Sequence, residues 1–444
     1  MKTPIADFVK NYAEKSPVRF HMPGHKGKSI LGVEQFDITE ISGADVLYSA
    51  EGIINESEEN ATKLFGTEHT YYSVEGSTLA IKTMLYLATQ NSDGSRPLIY
   101  AGRNVHKAFI NASALLDVEV KWLGLEQPLG LISCHVSPKT LQNELSTAKK
   151  LPCAVYITSP DYLGNIADIA GIAQVCKEFG VPLLVDNAHG AYLKFISPDM
   201  HPITLGATAC ADSAHKTLPV LTGGAYLHIS KTAPKNFKLN AREGLSLFAS
   251  TSPSYLILSS LDKANEYLED NATAYDIACE KVTALKRKLK NNGIAVQKSE
   301  PLKIVINCNK TGYYGDEVSE YLRSKNIEVE FSDKKTVVIM ATPQNADEDF
   351  DELLNALTGL EFKKEITIAE PTLNLTPICT GIRKAMLSAK EKICVSDAVG
   401  RICASATVSC PPAIPIATCG EVITEQTVNA LKYYGVNEIF VVKD

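Results

Sequence analysis

Short apolar runs alternate with amphipathic stretches through the first half of the chain. PLIYAG (97–102), CAVYITSP (153–160), VPLLVD (181–186) and GAYLHIS (224–230) are too apolar for strands with one wet face and too short for helices. They predict strands buried on both sides. ATACAD (207–212) is a further strand-like run. Between them, DIAGIAQVCKEFG (168–180) puts Ile169, Ile172, Ala173 and Cys176 on one helical face, and Gly180 stops the helix. SEENATKLFG (57–66) reads as another helix closed by a glycine. Strands alternating with helices predict an α/β fold whose mostly parallel sheet is covered on both faces. Residues 1–50 lack sustained periodicity and predict a short helix followed by an irregular arm.

The second half changes character. One long charged helix is predicted from about Leu261 to Lys290. KIVINC (303–308), IEVEFS (327–332) and TVVIMATP (336–343) follow as strands, and DEDFDELLNALTGL (347–360) as a helix. These predict a smaller α+β domain. In CPPAIPIATCGE (410–421), Pro411 and Pro412 are expected to shape a turn before a last helix, TEQTVNALKYY, and strand, EIFVVK. With 444 residues the chain exceeds what one core usually accommodates. The expected division is an arm (1–50), a large domain (51–262) and a small C-terminal domain (263–444).

Composition narrows the partners. Hydrophobic residues are 45% and charged residues 21%, ordinary for a soluble protein. A net charge of −7 gives no electrostatic case for nucleic acid or an anionic membrane surface. The N-terminus has no apolar leader and no stretch has the length of a membrane span, so a cytoplasmic protein is expected. The 11 cysteines form no CxxC pair and no zinc pattern, and are expected to be reduced thiols.

Candidate chemistry lies where the strands end, because open parallel sheets bind ligands beyond the carboxyl ends of their strands. After VPLLV comes DNAHGAY, with Asp186 and His189. After PLIYAG comes RNVHK, with His106. Lys216, in SAHKTLP, follows ATACAD. In YYSVEGSTLAIKTMLYLA (71–88), Gly76, Ser77 and Thr78 open an apolar helix, where free N–H groups and hydroxyls favour a phosphate. Singly, each has an ordinary reading: GST as a helix cap, Asp186 as a loop residue, His106 as structural, Lys216 as surface charge. Taken in order they form a phosphate cradle, an aromatic ring, an acid at a strand end and a lysine, which is what pyridoxal 5′-phosphate requires. The acid keeps the ring nitrogen protonated and the lysine forms the Schiff base.

Several segments carry a resemblance. FHMPGHKG (20–27), EGIINESEENATKLFGTEHTYYSVEGST (51–78), RNVHKA (103–108), VDNAHGAY (185–192), SAHKTLPVLT (213–222), STSPSYLILSSLD (250–262), AVGRI (398–402) and PPAIP (411–415) look like the prokaryotic ornithine/lysine/arginine decarboxylases, in a short form without the N-terminal wing domain. The resemblance implies the fold-type-I PLP-dependent transferase fold, with the cofactor in the large domain. It implies that Lys216 is the Schiff-base lysine and that Asp186 pairs with the ring nitrogen. It implies His106 on one ring face, Ala188 on the other, and His189 near the ring or the substrate carboxylate. Ser213 and His215 join Gly76, Ser77 and Thr78 at the phosphate. Ser252 and Tyr255 are implied to reach a neighbouring subunit's site, so that a homodimer is the minimum active unit, and the arm with His25 and Lys26 lies near the site. The implied reaction is decarboxylation of arginine, lysine or ornithine, arginine being favoured because short members often act on it.

Three positions depart from the family's usual pattern. Asn187 stands where glutamate usually follows the ring-pairing aspartate, Gly223 and Gly224 follow Thr222 where LTQ and a small residue are usual, and Glu75 replaces a more neutral residue before the phosphate turn. Two other functions remain open at this point. An aminotransferase or other lyase on the same fold is one, with Arg103 or Arg383 as carboxylate clamp. A catalytically inactive binding protein is the other, against which the intact Lys216 and Asp186 argue. The distal end of the substrate needs a carboxylate, and Asp45 and Glu51 are among the candidates.

Overall fold

The apolar runs form the middle of a seven-stranded sheet. Its strands are β1 (His69–Ser73), β2 (Leu98–Gly102), β3 (Glu119–Leu123), β4 (Ala154–Thr158), β5 (Leu183–Asp186), β6 (Ala209–Asp212) and β7 (Ala225–Ile229), in the order β1-β7-β6-β5-β4-β2-β3. Neighbours from β3 across to β6 pair in parallel, and β7 is antiparallel to both β6 and β1. The mostly parallel sheet read from the sequence is therefore the sheet observed. The structure is a computed structural model and describes residues 1–92, 94–124, 134–371, 378–406 and 414–443. Pro411 and Pro412, and the turn expected of them, lie outside the described residues.

Helices α1 (Pro4–Glu14), α2 (Ile53–Phe65), α3 (Gly76–Thr89), α4 (Lys107–Leu115), α5 (Pro138–Ser146), α6 (Ile169–Glu178), α7 (Ala214–Thr217), α8 (Lys235–Phe248) and α9 (Tyr255–Asp270) belong to the same unit as this sheet. α6 buries Ile169, Ile172, Ala173 and Cys176, the face its periodicity marked, and the Asp168 side chain caps it by accepting the Gly171 N–H at 2.9 Å. α3 is nearly apolar all round because it is covered on several sides, by α4, α8, β6 and β7. Its N-terminus, which carries the glycine and hydroxyls of the expected phosphate cradle, is thereby fixed.

The start of α1 is capped from far along the chain. The N–H groups of Ile5 and Ala6 both donate to Asp262 Oδ2 at 2.9 Å, and the Ser57 hydroxyl donates to Oδ1. Burial raises the Asp262 pKa to about 6, and these donors only partly oppose the shift. A buried acid with a raised pKa holds its proton more tightly folded than unfolded. Its contribution to stability therefore falls as pH rises from the ordinary aspartate range through about 6. Asp262→Asn, neutral at every pH, is expected to gain on the wild type by up to about 3 kcal/mol between roughly pH 4 and pH 7.5. Urea unfolding at the two pH values measures this.

The chain divides into two units. The first comprises Met1–Leu123, Val136–Thr158 and Asp168–Ala272, so the N-terminal arm belongs to it; the second comprises Gly124–His135, Ser159–Ala167 and Thr273–Asp444. The single helix expected over 261–290 is two, α9 and α10 (Ala274–Asn291). Asn271 separates them: its backbone N–H and its side-chain amide both donate to the Tyr267 carbonyl at 2.9 Å, closing α9.

In the second unit, β8 (Lys303–Asn307), α11 (Gly315–Ser324), β9 (Phe331–Ser332), β10 (Thr336–Met340) and α12 (Asp347–Thr358) build a three-stranded antiparallel sheet, ordered β8-β10-β9, with helices. IEVEFS shrinks to the two residues of β9. Then α13 (Ile382–Leu387), β11 (Lys390–Cys394), α14 (Glu425–Tyr433) and β12 (Glu438–Val442) follow, β11 pairing antiparallel with β12 over a core that includes Val395, Cys403, Ile416, Leu431 and Val441. Within this unit Lys303 and Glu300 form a buried ion pair at 2.7 Å, and Lys303 Nζ also donates to the Tyr162 carbonyl at 3.1 Å. The Glu300 N–H donates to the Gly164 carbonyl at 2.7 Å, so the segment 159–167 is pinned to the start of β8. Among the described residues, no helix is long and apolar enough to cross a membrane.

Candidate active site

Parallel pairing brings the strand ends together. Thr158 at the end of β4 lies opposite Asp186 at the end of β5, and Asp186 lies opposite Ala211 near the end of β6. Asp186 is 2% exposed. Its Oδ2 accepts from the Tyr156 hydroxyl at 3.1 Å and its Oδ1 from the Ala188 N–H at 3.2 Å. Burial raises its pKa, while His106 and Lys216 pull the other way. The carboxylate is thus held in a dry setting by two donors and two neighbouring bases, where a further cationic N–H is the most favourable partner it can acquire.

Lys216 sits on α7, one short turn beyond β6, with Nζ 3.1 Å from His189 Nε2. His189 is buried, and Lys216 is partly exposed. His106 caps α4: its Nδ1 accepts the Ala108 N–H at 3.2 Å. Its ring is exposed to solvent, yet protein crowds beneath it. That crowding lowers the imidazole pKa, with Asp186 opposing the shift. The four residues expected to carry the chemistry therefore share one edge of the sheet, and the electrostatics of Asp186 registers both His106 and Lys216.

The expected phosphate end is built from two backbones. Gly76 opens α3 at φ +69°, and a Cβ placed there would meet nothing within 4 Å, so the helix start faces open space. The N–H groups next along a helix start have no partner inside the helix, and here they belong to Ser77 and Thr78, both partly exposed. The Ser213 hydroxyl donates to Ser77 Oγ at 2.8 Å, joining α7 to α3. The His215 N–H and Nδ1 both meet the Gly224 carbonyl, at 3.1 and 2.9 Å, which fixes the hydrogen on Nδ1. A dianion fits this cradle and a pyridinium fits Asp186, so the residues present suit pyridoxal 5′-phosphate.

Two contributors had not been identified in the sequence. The Gly76 N–H is not free for a ligand; it donates to the Gly223 carbonyl at 2.7 Å. Gly223 has φ +100°, and a Cβ there would lie 3.1 Å from the Val74 carbonyl and 3.2 Å from Ile257 Cδ1. The Gly223–Gly224 departure thus lets one loop's carbonyls brace the cradle from behind. Gly223→Ala is expected to cost about 1–2 kcal/mol of stability and to weaken cofactor uptake, as checked by urea unfolding and a cofactor titration. The second contributor is Tyr156. It lies two residues before Thr158, on the same face of β4, so period-two reading back from the strand end would have found it.

The remaining expected residues have the following surroundings. Ala188 is partly exposed beside Asp186. Ser252 is exposed, its N–H on Ser250 Oγ at 3.2 Å, and the Ser250 N–H donates to Glu75 Oε1 at 2.6 Å. That bond turns the third departure, Glu75, into the anchor of the 250–254 loop. Tyr255 is fully buried in its own unit, its hydroxyl donating to the Asp45 carbonyl at 2.7 Å. The Asp45 carboxylate accepts the N–H groups of Val46, Glu51, Gly52 and Ile54 and caps α2. That engagement makes it a structural residue, and Glu51 stays exposed. His25 pairs with Asp37 at 3.1 Å, and Lys26 Nζ donates to the His21 carbonyl at 2.6 Å, so both brace the arm. The Arg103 guanidinium lies 5.0 Å from the centre of the Trp122 ring, while Arg383 is exposed in the second unit.

Comparison with known proteins places this geometry. Residues 3–307 match the family description "Orn/Lys/Arg decarboxylase, major domain", and residues 361–442 match "Orn/Lys/Arg decarboxylase, C-terminal domain". An arginine decarboxylase of Bacillus subtilis is 30% identical, covering 96% of this chain and 92% of that protein. The lysine decarboxylase LdcA of Pseudomonas aeruginosa is 24% identical over 61% of this chain and 40% of that protein. Among solved structures, the constitutive lysine decarboxylase of E. coli superposes with a TM-score of 0.78 at 16% identity, covering 100% of this chain and 82% of that one. The serine palmitoyltransferase of Sphingomonas wittichii does so with a TM-score of 0.57 at 14% identity, covering 79% and 82%.

Proposed function

Because this chain belongs to the Orn/Lys/Arg decarboxylase family and is an amino-acid decarboxylase dependent on pyridoxal 5′-phosphate, we propose that it decarboxylates arginine to agmatine with Lys216 and Asp186 at the centre of the reaction. The observation that carries the residue roles is the convergence of Asp186, Lys216, His189 and the Gly76–Thr78 cradle on one sheet edge. The choice of arginine is supported by full-length similarity to an arginine decarboxylase at 30% identity.

When bound, pyridoxal 5′-phosphate supplies an aldehyde that joins amines and a ring that takes up the electron pair of the breaking bond. Asp186 holds the proton on the ring nitrogen; burial makes its charge costly until that cation matches it. Ser77 and Thr78 would hold the phosphate at the start of α3, where the helix dipole favours an anion, with Ser213 orienting the Ser77 hydroxyl and His215 bracing the cradle through the Gly224 carbonyl. His106 and Ala188, both beside Asp186, would flank the ring. Lys216 Nζ would be the amine that holds the cofactor aldehyde, and with His189 Nε2 3.1 Å away it is placed to carry a proton to the substrate Cα. The departing carboxylate is best left without a tight cationic clamp, since such a pair would stabilise the ground state.

The active form is a cytoplasmic homodimer whose product feeds polyamine synthesis. The exposed apolar side chains of the arm, including Phe20 at 95% and Leu31 at 84%, support a partner copy. Incubation of purified protein and cofactor with arginine, lysine and ornithine separately tests the reading. CO₂ and agmatine from arginine, well above the other two amines, are expected. A keto acid in place of CO₂ would make it an aminotransferase, and no CO₂ from any basic amino acid with cofactor bound would end the proposal.

A further inference from the structure

Asn187 stands where the family usually has glutamate, and the structure shows what it meets. One residue past β5, its N–H donates to the Ala211 carbonyl at 2.9 Å and its Nδ2 to Asp212 Oδ1 at 2.8 Å. Both side chains are fully buried. The Cys210 thiol donates to the same Asp212 oxygen at 3.2 Å. On the other side, Oδ2 accepts from His201 Nε2 at 2.9 Å and His228 Nε2 at 3.1 Å. His201 Nδ1 accepts the Ile203 N–H, which leaves Nε2 as the donor, and His228 Nδ1 meets Thr70 Oγ1 at 2.9 Å. Burial alone would protonate Asp212, but His201 and His228 reverse this and hold its pKa far below the ordinary range. A permanent anion thus lies in the dry core at the end of β6.

The position of this anion matters for the site. Asp186 precedes Asn187, and Ser213 follows Asp212 with Lys216 one turn later. The bond between 187 and 212 therefore ties the backbone carrying the acid to the backbone carrying the lysine and the phosphate hydroxyl. A carboxylate at 187 would face another carboxylate at hydrogen-bond distance with no water to separate them, and one of the two would have to take a proton. An anion at 212 demands a neutral donor at 187.

We propose that Asn187 and Asp212 are a matched amide–carboxylate pair that sets the spacing of Asp186 and Lys216, with His201 and His228 fixing which member carries the charge. Both are positioning residues for the cofactor, and the inference rests on the reading that pyridoxal 5′-phosphate lies between Asp186 and Lys216.

The test compares wild type, Asn187→Asp, Asp212→Asn and the double exchange Asn187→Asp/Asp212→Asn, each titrated with pyridoxal 5′-phosphate. Measured are the cofactor Kd, the pH midpoint of the bound cofactor's absorbance band, and kcat and KM. Asn187→Asp is expected to weaken cofactor binding by roughly 10-fold or more, to move the band midpoint, and to lower kcat more than it raises KM. In the double exchange, the amide introduced at 212 accepts from the two histidines through its oxygen and donates through its nitrogen to the new carboxylate. It is expected to recover part of the loss seen in Asn187→Asp alone while staying weaker than wild type, because the charge then lies at 187, away from His201 and His228. Should Asn187→Asp fail to fold, Asn187→Ala removes the donor without adding charge, and a smaller loss of about 3-fold with a shifted midpoint is expected. Wild-type Kd and midpoint in the single variants, or a double exchange as impaired as the two singles added, would overturn the pairing. A wild-type protein that takes up no cofactor at all would overturn the cofactor reading instead.

Discussion

Lys216→Ala abolishes turnover, by roughly 10³-fold or more, while the protein stays folded. The side chain is partly exposed on a four-residue helix, so its removal opens no core cavity, and alanine suits a helix. What is lost is the amine that stands 3.1 Å from His189 Nε2 and weighs on the charge of Asp186. Borohydride reduction of the wild-type holoprotein, followed by peptide mass spectrometry, is expected to mark Lys216 with the reduced cofactor. In the variant that mark disappears while the thermal midpoint of the apoprotein is unchanged. A mark on a different lysine would remove Lys216 from the mechanism.

Asp186→Asn separates function from stability. The neutral amide keeps one acceptor for Tyr156 but cannot hold a proton on a ring nitrogen, so kcat is expected to fall by about 10²–10³-fold with KM little changed. Without the cofactor the change runs the other way. Burial penalises the Asp186 charge, which raises its pKa, so the amide relieves a cost that the apoprotein bears. The apo form of the variant is expected to melt at or above the wild-type temperature. Activity in the wild type is expected to fail toward acid as Asp186 takes up a proton, and the residual activity of the variant lacks that limb. A pH–rate profile of both proteins checks the sign.

Legibility in the sequence followed burial and side-chain chemistry. β4, β5, β6 and β7 were legible because central strands buried on both faces are written as unbroken apolar runs. β3, at the sheet edge, alternates exposed Glu119 and Lys121 with buried Val120 and Trp122, and so escaped notice among the loops around it. The break after Asp270 was hidden because the helical pattern resumes in phase with charge on both sides, and only the Asn271 amide marks it. At the site, Asp186, His106, His189 and Lys216 were found because each follows an apolar run. The Gly223 carbonyl was not, since a backbone acceptor has no letter of its own. Glu75 and Asn187 stood out as oddities, but each made sense only with its partner, Ser250 and Asp212, far off in the chain.

The path of the chain between β4 and α6 constrains how this protein can be cut or recombined. Segment 159–167 leaves the strand beside Asp186 and is gripped by Glu300 and Lys303, residues that appear more than a hundred positions later. A fragment stopped at Ala272 would carry that segment stripped of its clasp. Swapping the C-terminal half with that of a relative would graft in a foreign clasp. A viable chimaera must therefore exchange segment 159–167 together with the chain after Thr273.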